Sequence, residues 1–205
     1  MAIRNVLKEG DEILRKVSKP VKVFDESLGQ LLDDMKETMH KNEGAGLSAV
    51  QVGILKRAFV MQAVEEYYEC MNPKILKQEG VNETRIEGCL SVPGKCGYVD
   101  RPDIVWVEYQ DRTGKVIKNE FHGFEAKCFC HECDHMDGIL YVDKATEMFE
   151  DREEYYRSQE ELDDDDGYFD DIENRVFTRK NTNSNYGKKR GTQRILSNKN
   201  KNSKK

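Results

Sequence analysis

The chain has 205 residues, of which 37% are hydrophobic and 35% charged, with a formal net charge of −6 and six cysteines. This length allows one compact domain with an appendage, and no apolar run reaches the roughly 18 to 20 residues that would cross a bilayer. The N-terminus lacks the apolar segment of a secretory signal. We therefore expect a cytoplasmic protein without membrane contact, whose cysteines are reduced and act as thiols or ligands.

The first predicted element is a helix over residues 26–41. Its apolar residues recur at helical spacing: Leu28, Leu31, Leu32, Met35 and Met39. This pattern predicts an amphipathic helix whose apolar face packs in the core. We expect Gly44 to end the helix and the Gly-x-Gly turn that follows to let backbone approach a ligand closely.

The middle of the chain predicts short strands. Residues 57–61 and 69–76 have strand composition, and Asn72-Pro73 predicts a bend or the edge of a sheet. Residues 104–109 and 116–121 flank a turn-like segment, so together they predict a hairpin. A further helix is expected from near Gly123 to near Gly138.

This last helix contains the spacing His-Glu-x-x-His at His131, Glu132 and His135. Residues four apart lie on one helix face, so both imidazoles can reach one metal ion. Glu132 stands beside them, where it can handle the proton of a metal-activated water. A catalytic centre of this kind usually takes three protein ligands, so the pattern predicts a third donor elsewhere.

Two upstream stretches give the pattern its context. Residues 44–51 read Gly-Ala-Gly-Leu-Ser-Ala-Val-Gln, and residues 87–91 read Glu-Gly-Cys-Leu-Ser. With the histidine motif, and in this order, they resemble the three signature motifs of the peptide deformylases. The resemblance implies an α+β fold in which small antiparallel or mixed sheets surround a central metal-binding helix, and it covers residues 1–148.

The resemblance also implies a function. The family consists of metal-dependent hydrolases that remove the N-formyl group from the N-terminal formylmethionine of new polypeptides and release formate. We therefore expect one divalent ion, Fe²⁺ first, with Zn²⁺, Ni²⁺ or Co²⁺ as alternatives that the sequence does not separate. The expected partners are N-formylmethionyl nascent peptides, and the expected state is a monomer.

Carried over by motif, the resemblance assigns roles to individual residues. Cys89 becomes the third metal ligand beside His131 and His135. Gln51 and the backbone N–H of Leu90 become donors to the oxyanion, and Glu132 the proton carrier. Five residues are expected to bind substrate: Ala45, Gly46, Gly88, Phe124 and Cys128. A pair formed by Glu87 and Arg101 is expected to brace the loop that carries the cysteine.

Two positions depart from the family pattern. Ser48 replaces the alanine that is commonest there, a change from which we expect no loss of activity. Lys127 replaces an apolar residue, so its charge either points to solvent or makes the rim of the substrate pocket more polar.

Three other interpretations are possible. A zincin-type metallopeptidase shares His-Glu-x-x-His, but it needs a downstream histidine or glutamate as third ligand, and no suitable histidine follows. A non-catalytic binding protein that retains the fold would not need an intact Glu132. A structural zinc site at Cys128, Cys130 and Cys133 would need a second cysteine pair.

Residues 149–205 have a different composition. Residues 150–173 contain thirteen acidic and two basic residues, whereas residues 179–205 contain ten basic residues and no acidic one. Blocks of like charge cannot build a core, so we expect a disordered extension. Its basic part could contact the RNA-rich ribosome, unless the acidic part folds back and neutralises it.

Overall fold

The computed structural model describes residues 2–63, 66–82, 86–150 and Tyr155. Two α-helices lie in this part of the chain, α1 at Glu26–Lys41 and α2 at Gly123–Met136. The strands are β1 Gly46–Ser48, β2 Ala58–Ala63, β3 Glu66–Glu79, β4 Ile86–Cys89, β5 Val92–Tyr98, β6 Ile104–Gln110, β7 Val116–His122 and β8 Glu147–Phe149. Short 3-10 helices are formed by Glu12–Arg15, Ala49–Val52 and Tyr141–Asp143.

The strands form two sheets. The first has five strands in the order β1-β2-β3-β6-β7, and the second has three in the order β4-β5-β8. Every pairing between these named strands is antiparallel. The predicted α+β class is confirmed.

Helix α1 has the predicted bounds. The Asp25 side chain caps it by accepting a hydrogen bond from the Leu28 N–H at 3.0 Å, and the predicted apolar stripe is buried. The left-handed residue that follows the helix is Glu43, with φ of 55°, and not Gly44, the glycine expected to terminate it. The Gly44 N–H still donates to the Met39 carbonyl oxygen, at 3.0 Å.

The two strands predicted over residues 57–61 and 69–76 are present but longer than expected. Asn72 does not end β3. It has φ of 50° and lies at a register shift between Met71 and Lys74, which identifies a bulge within one long strand. The Asn72 side chain accepts from the Val21 N–H at 2.8 Å and donates to its carbonyl oxygen at 2.9 Å, which anchors the N-terminal segment at this bulge.

The predicted hairpin is confirmed as β6 and β7, paired from Ile104 with His122 to Gln110 with Val116. Helix α2 follows directly and packs against the five-stranded sheet. Phe129 of α2 meets Phe59 of β2 edge to face, with ring centroids 5.2 Å apart. The opposite side of α2 faces the three-stranded sheet through the polar contacts described below. Among the described residues, no helix combines the length and apolar character that a membrane span requires.

Candidate active site

Cys89, His131 and His135 bring their side chains together. Cys89 ends β4, where the register with β5 shifts between Gly88 and Cys89. The two histidines lie one turn apart on α2 and present their Nε2 atoms to each other at 3.2 Å. The Cys89 Sγ lies 3.2 Å from the His135 Nε2, and the three donor atoms lie within 4.8 Å of one another. The third donor required by the histidine motif is therefore present.

This donor set fits a metal ion. Nitrogen ligands about 2.0 to 2.1 Å from a tetrahedral ion stand roughly 3.3 Å apart, close to the observed separation. Burial lowers the pKa of His135 well below its usual value. Burial acts in the same direction on His131, but the bonds to Cys89 and Glu87 outweigh it and raise the pKa of His131, so an ion binding there would displace a proton. A neutral imidazole is the form that binds a metal. Among the described residues this is the one cluster whose ligand atoms converge in this way.

A buried ionic network orients His131. The His131 Nδ1 lies 2.8 Å from the Glu87 Oε2, which turns the Nε2 towards the other two donors. Arg101 contacts both oxygens of Glu87, at 2.7 and 3.1 Å, and also donates to Asp134. Burial alone would raise the pKa of Glu87, but the hydrogen bonds with His131 and Arg101 outweigh it and lower the pKa to about 2. Asp134 receives a further bond from Lys144 at 2.7 Å.

Glu132 is buried, with only 2% of the residue exposed to solvent. Its Oε2 accepts a hydrogen bond from the Ser48 hydroxyl at 2.7 Å. Its Oε1 lies so close to Gly46 that a Cβ there would stand 2.3 Å away. Burial raises the pKa of Glu132 to about 7, against the charge of His131 and the Ser48 bond, which both lower it.

The amide of Gln51 is held in one orientation. Its Oε1 accepts from the Ser48 backbone N–H at 2.8 Å, so its Nε2 must face the cysteine side. The Nε2 donates to the Ser91 Oγ at 3.1 Å and lies 3.5 Å from the Cys89 Sγ. The amide donor predicted from the sequence therefore stands beside the predicted metal ligand.

The N-terminal segment braces the same region. The Leu7 N–H donates to the Gln51 carbonyl oxygen at 2.8 Å, and the Glu9 N–H donates to the Ser91 carbonyl oxygen at 2.7 Å. Between them, the Lys8 ammonium donates to the Leu90 carbonyl oxygen at 2.7 Å. Three consecutive residues thus tie together the two segments that carry Gln51 and Leu90.

Three of the residues predicted to bind substrate lie where the start of β1 approaches α2. The Cys128 thiol lies 3.7 Å from the Ala45 carbonyl oxygen, and Gly46 contacts Glu132 as described. Gly88 is exposed beside Cys89, and Phe124 lies in the first turn of α2.

The Lys127 side chain does not point to solvent. Its residue is only 6% exposed, and its ammonium donates to the Ile86 carbonyl oxygen at 3.0 Å and lies 5.5 Å from the centre of the Phe124 ring. Of the two sequence interpretations, the outward-pointing one is wrong.

Three site contacts escaped the sequence analysis. Ser91 bonds Gln51, Asp134 bonds Arg101, and the Ser48 hydroxyl bonds Glu132. Ser91 lies inside the second motif, and this position was the sequence signal that could have identified it. The contacts of Asp134 and Ser48 depend on how α2 packs against the rest of the chain, and motif spacing does not predict that packing.

Comparison with known proteins places this geometry in context. A family model described as polypeptide deformylase matches residues 3–150. The peptide deformylase of Finegoldia magna is 47% identical over 156 residues, which are 75% of this chain and 96% of the relative. That of Caldicellulosiruptor bescii is 50% identical over 153 residues, 75% of this chain and 92% of the relative.

The chain belongs to the polypeptide deformylase family. Among solved structures, the deformylase of Thermotoga maritima superposes with a TM-score of 0.70 at 38% identity, covering 71% of this chain and 99% of that one. A Met-Ala-Ser-bound class I type b deformylase of Acinetobacter baumannii gives a TM-score of 0.66 at 33% identity, covering 70% and 98%.

The chain is thus a metal-dependent hydrolase that removes the N-formyl group from newly made peptides. The zincin and binding-protein interpretations are not favoured, since relatives along the whole matched region are deformylases. Among the described residues, the metal-ligand atoms that converge belong to Cys89, His131 and His135, which does not favour the alternative of a zinc site at Cys128, Cys130 and Cys133.

Proposed function

We propose that Cys89, His131 and His135 hold the catalytic ion, and that Glu132, Gln51 and Leu90 carry out the deformylation around it. The convergence of the three donor atoms within 4.8 Å carries this proposal. When bound by these three residues, the ion would act as a Lewis acid towards the formyl carbonyl and would lower the pKa of water. Glu87 and Arg101 support the set by holding the His131 Nδ1.

The remaining chemistry belongs to the protein's own groups. The Glu132 carboxylate takes the proton of the attacking water and passes it to the leaving amine nitrogen. The Gln51 Nε2 and the Leu90 N–H donate to the oxygen of the formyl carbonyl as it becomes negative. The fixed orientation of the Gln51 amide supports this role, because a donor that is already aligned needs no reorganisation during the reaction.

We assign substrate binding to five residues: Ala45, Gly46, Gly88, Phe124 and Cys128. The substrate class is an N-formylmethionyl peptide. A structural relative from Acinetobacter baumannii is described with Met-Ala-Ser bound, and a peptide of this form is what deformylation leaves. The mixture of backbone groups and apolar side chains suits an extended peptide with an apolar first residue.

Glu132→Ala tests the assignment. The variant removes a proton carrier but no ligand, so we expect normal metal content and a fall in kcat of about 100-fold or more. Formate release from formyl-Met-Ala-Ser and metal analysis are measured on the same sample. Parallel loss of metal and activity would contradict the role given to Glu132, and cleavage of an unblocked protein would reopen the peptidase interpretation.

Three further proposals concern the native metal, the oligomeric state and the compartment. We propose Fe²⁺ as the native ion, since a set of one thiolate and two imidazoles suits it, and metal analysis after anaerobic purification tests this choice. We propose a monomer, because the ligands and Glu132 come from one chain. We propose the cytoplasm as the compartment, because formylated chains arise where ribosomes translate them.

We also propose a division of the chain. Residues 1–148 form the catalytic domain, with β8 ending just beyond at Phe149, and residues 149–205 form the charged extension. Apart from Phe149, Glu150 and Tyr155, the extension lies outside the described residues. Its ten basic residues after position 178 support a salt-dependent contact with ribosomal RNA.

A further inference from the structure

Ser48 joins two parts of the proposed machinery. Its backbone N–H donates to the Gln51 Oε1 at 2.8 Å, and its hydroxyl donates to the Glu132 Oε2 at 2.7 Å, with the Glu132 carbonyl oxygen at 3.0 Å. Ser48 is fully buried, so no solvent competes for the hydroxyl.

The strand geometry explains why this residue reaches Glu132. Gly46 and Ser48 are two apart on β1, so they lie on the same face of the strand, towards α2. Gly46 leaves the space that the carboxylate occupies, and Ser48 supplies the donor. The Ser48 hydroxyl is thus the side-chain donor that holds this carboxylate.

We propose that Ser48 is a positioning residue that holds Glu132 by its Oε2, so that Oε1 is the oxygen that exchanges protons. This inference rests on the proposed role of Glu132 as proton carrier. A buried carboxylate with two free oxygens can rotate about its last side-chain torsion, which is broad. Fixing one oxygen keeps the other in a constant position for proton transfer.

Substitution of Ser48 isolates the hydroxyl, because every replacement keeps the backbone N–H that orients Gln51. Ser48→Ala removes the donor, Ser48→Cys fills the volume with a weak donor, and Ser48→Thr keeps the hydroxyl. Ser18→Ala is a matched control: Ser18 is 3% exposed, and its hydroxyl has no hydrogen-bond partner in the described part of the chain.

We expect Ser48→Ala and Ser48→Cys to lower kcat about ten-fold, a part of what general acid–base catalysis contributes, with KM and metal content unchanged. Ser48→Thr should stay within about two-fold of the parent enzyme, and Ser18→Ala should match it. The split between kcat and KM distinguishes a positioning role from lost substrate binding.

The proposal is overturned if Ser48→Ala keeps the parental kcat, or if metal content falls with activity. It is also overturned if Ser48→Cys behaves like the parent, because volume and not hydrogen bonding would then matter. A Ser48→Thr enzyme of normal stability and metal content but low kcat would overturn it as well. Glu132→Ala is measured alongside, and full activity there would refute the proposed function itself.

Discussion

Cys89 and Cys133 are both partly exposed thiols, yet only Cys89 lies beside the histidine pair. We predict that Cys89→Ser lowers metal occupancy several-fold, because a neutral hydroxyl is a weaker ligand than a thiolate. Cys133→Ser should keep normal occupancy, since its thiol packs against the apolar cluster around Phe129. Metal analysis of both variants, purified under identical conditions, checks this. An equal loss of metal occupancy in both variants would show that Cys133 is needed for metal binding as well.

Gly46 permits the closest approach between β1 and α2. We predict that Gly46→Ala abolishes measurable turnover, because the new Cβ would stand 2.3 Å from the Glu132 Oε1 and the carboxylate must move. Gly29→Ala is the control: a Cβ there meets no atom within 4 Å, and alanine should stabilise α1 by about 1 kcal/mol. Formate release and thermal unfolding are measured together. An active Gly46→Ala enzyme would show that Glu132 need not sit where it does.

For individual residues, the sequence predicted the functional groups more completely than it predicted the contacts between them. His131 and His135 were identified from motif spacing and Cys89 from the family resemblance, and the structure brings their donor atoms together. For Ser48 we expected no loss of activity, since a hydroxyl in place of a hydrogen is a small change. Its partner Glu132 is 84 residues away, and only the packing of the helix on the strand creates that contact. Motifs record which residues a reaction needs, but they do not report distant pairings.

Among the elements, the N-terminal segment is fastened to α1 by Asp34. This carboxylate accepts from the Ala2 N–H at 2.7 Å, from Gln30 at 2.8 Å and from both Arg4 nitrogens at 2.8 and 3.1 Å. These bonds hold the pKa of Asp34 below its ordinary value, chiefly through the Ala2 N–H. The carboxylate therefore stabilises the fold above its ordinary pKa, and this contribution is lost as the pH falls through the folded value.

We predict that Asp34→Asn lowers the free energy of unfolding by about 1 kcal/mol at pH 7, and that the difference shrinks below about pH 4. Urea unfolding at pH 7, 5 and 3.5 measures it. Asp33→Asn serves as a control, because Asp33 forms an exposed ion pair with Arg112 that solvent screens. A difference that stays constant across the series would mean that the charge of Asp34 is not what stabilises the fold.

The elements differ in how well sequence predicts them. Helix α1 and the β6–β7 hairpin carry clear periodicity, so their positions were predicted almost to the residue. The three-stranded sheet was not predicted strand by strand. β5 reads Val-Pro-Gly-Lys-Cys-Gly-Tyr, and a proline and two glycines are depleted in strands. These strands form because they pair with β4 and β8, a tertiary effect that a local pattern does not contain.

For the whole molecule, the charged extension can be separated from the catalytic domain. We predict that a chain ending after residue 155 keeps turnover of short formyl peptides within about two-fold, because every proposed catalytic residue precedes that point. Keeping Tyr155 preserves its ring contacts with Tyr98 and Phe149, 6.1 and 5.5 Å between centroids.

The same truncation should weaken co-sedimentation with ribosomes at low salt, since it removes the basic block of residues 179–205 with its ten basic residues. A second variant that lacks only residues 179–205 separates the basic block from the acidic one. Identical sedimentation of all three proteins across a salt series would reject the ribosome contact.

The pairing of β8 with β5 bears on when, during synthesis of the chain, the fold around the site can be completed. A ribosome releases Cys89 well before His131 and His135, and β8 emerges later still to complete the sheet whose first strand carries Cys89. During synthesis the Cys89 thiol is therefore present before His131 and His135 have been made, in a sheet that still lacks β8. Catalytic competence arrives only when almost the whole family-matching segment has been made, so an unfinished copy of this enzyme is an inactive one.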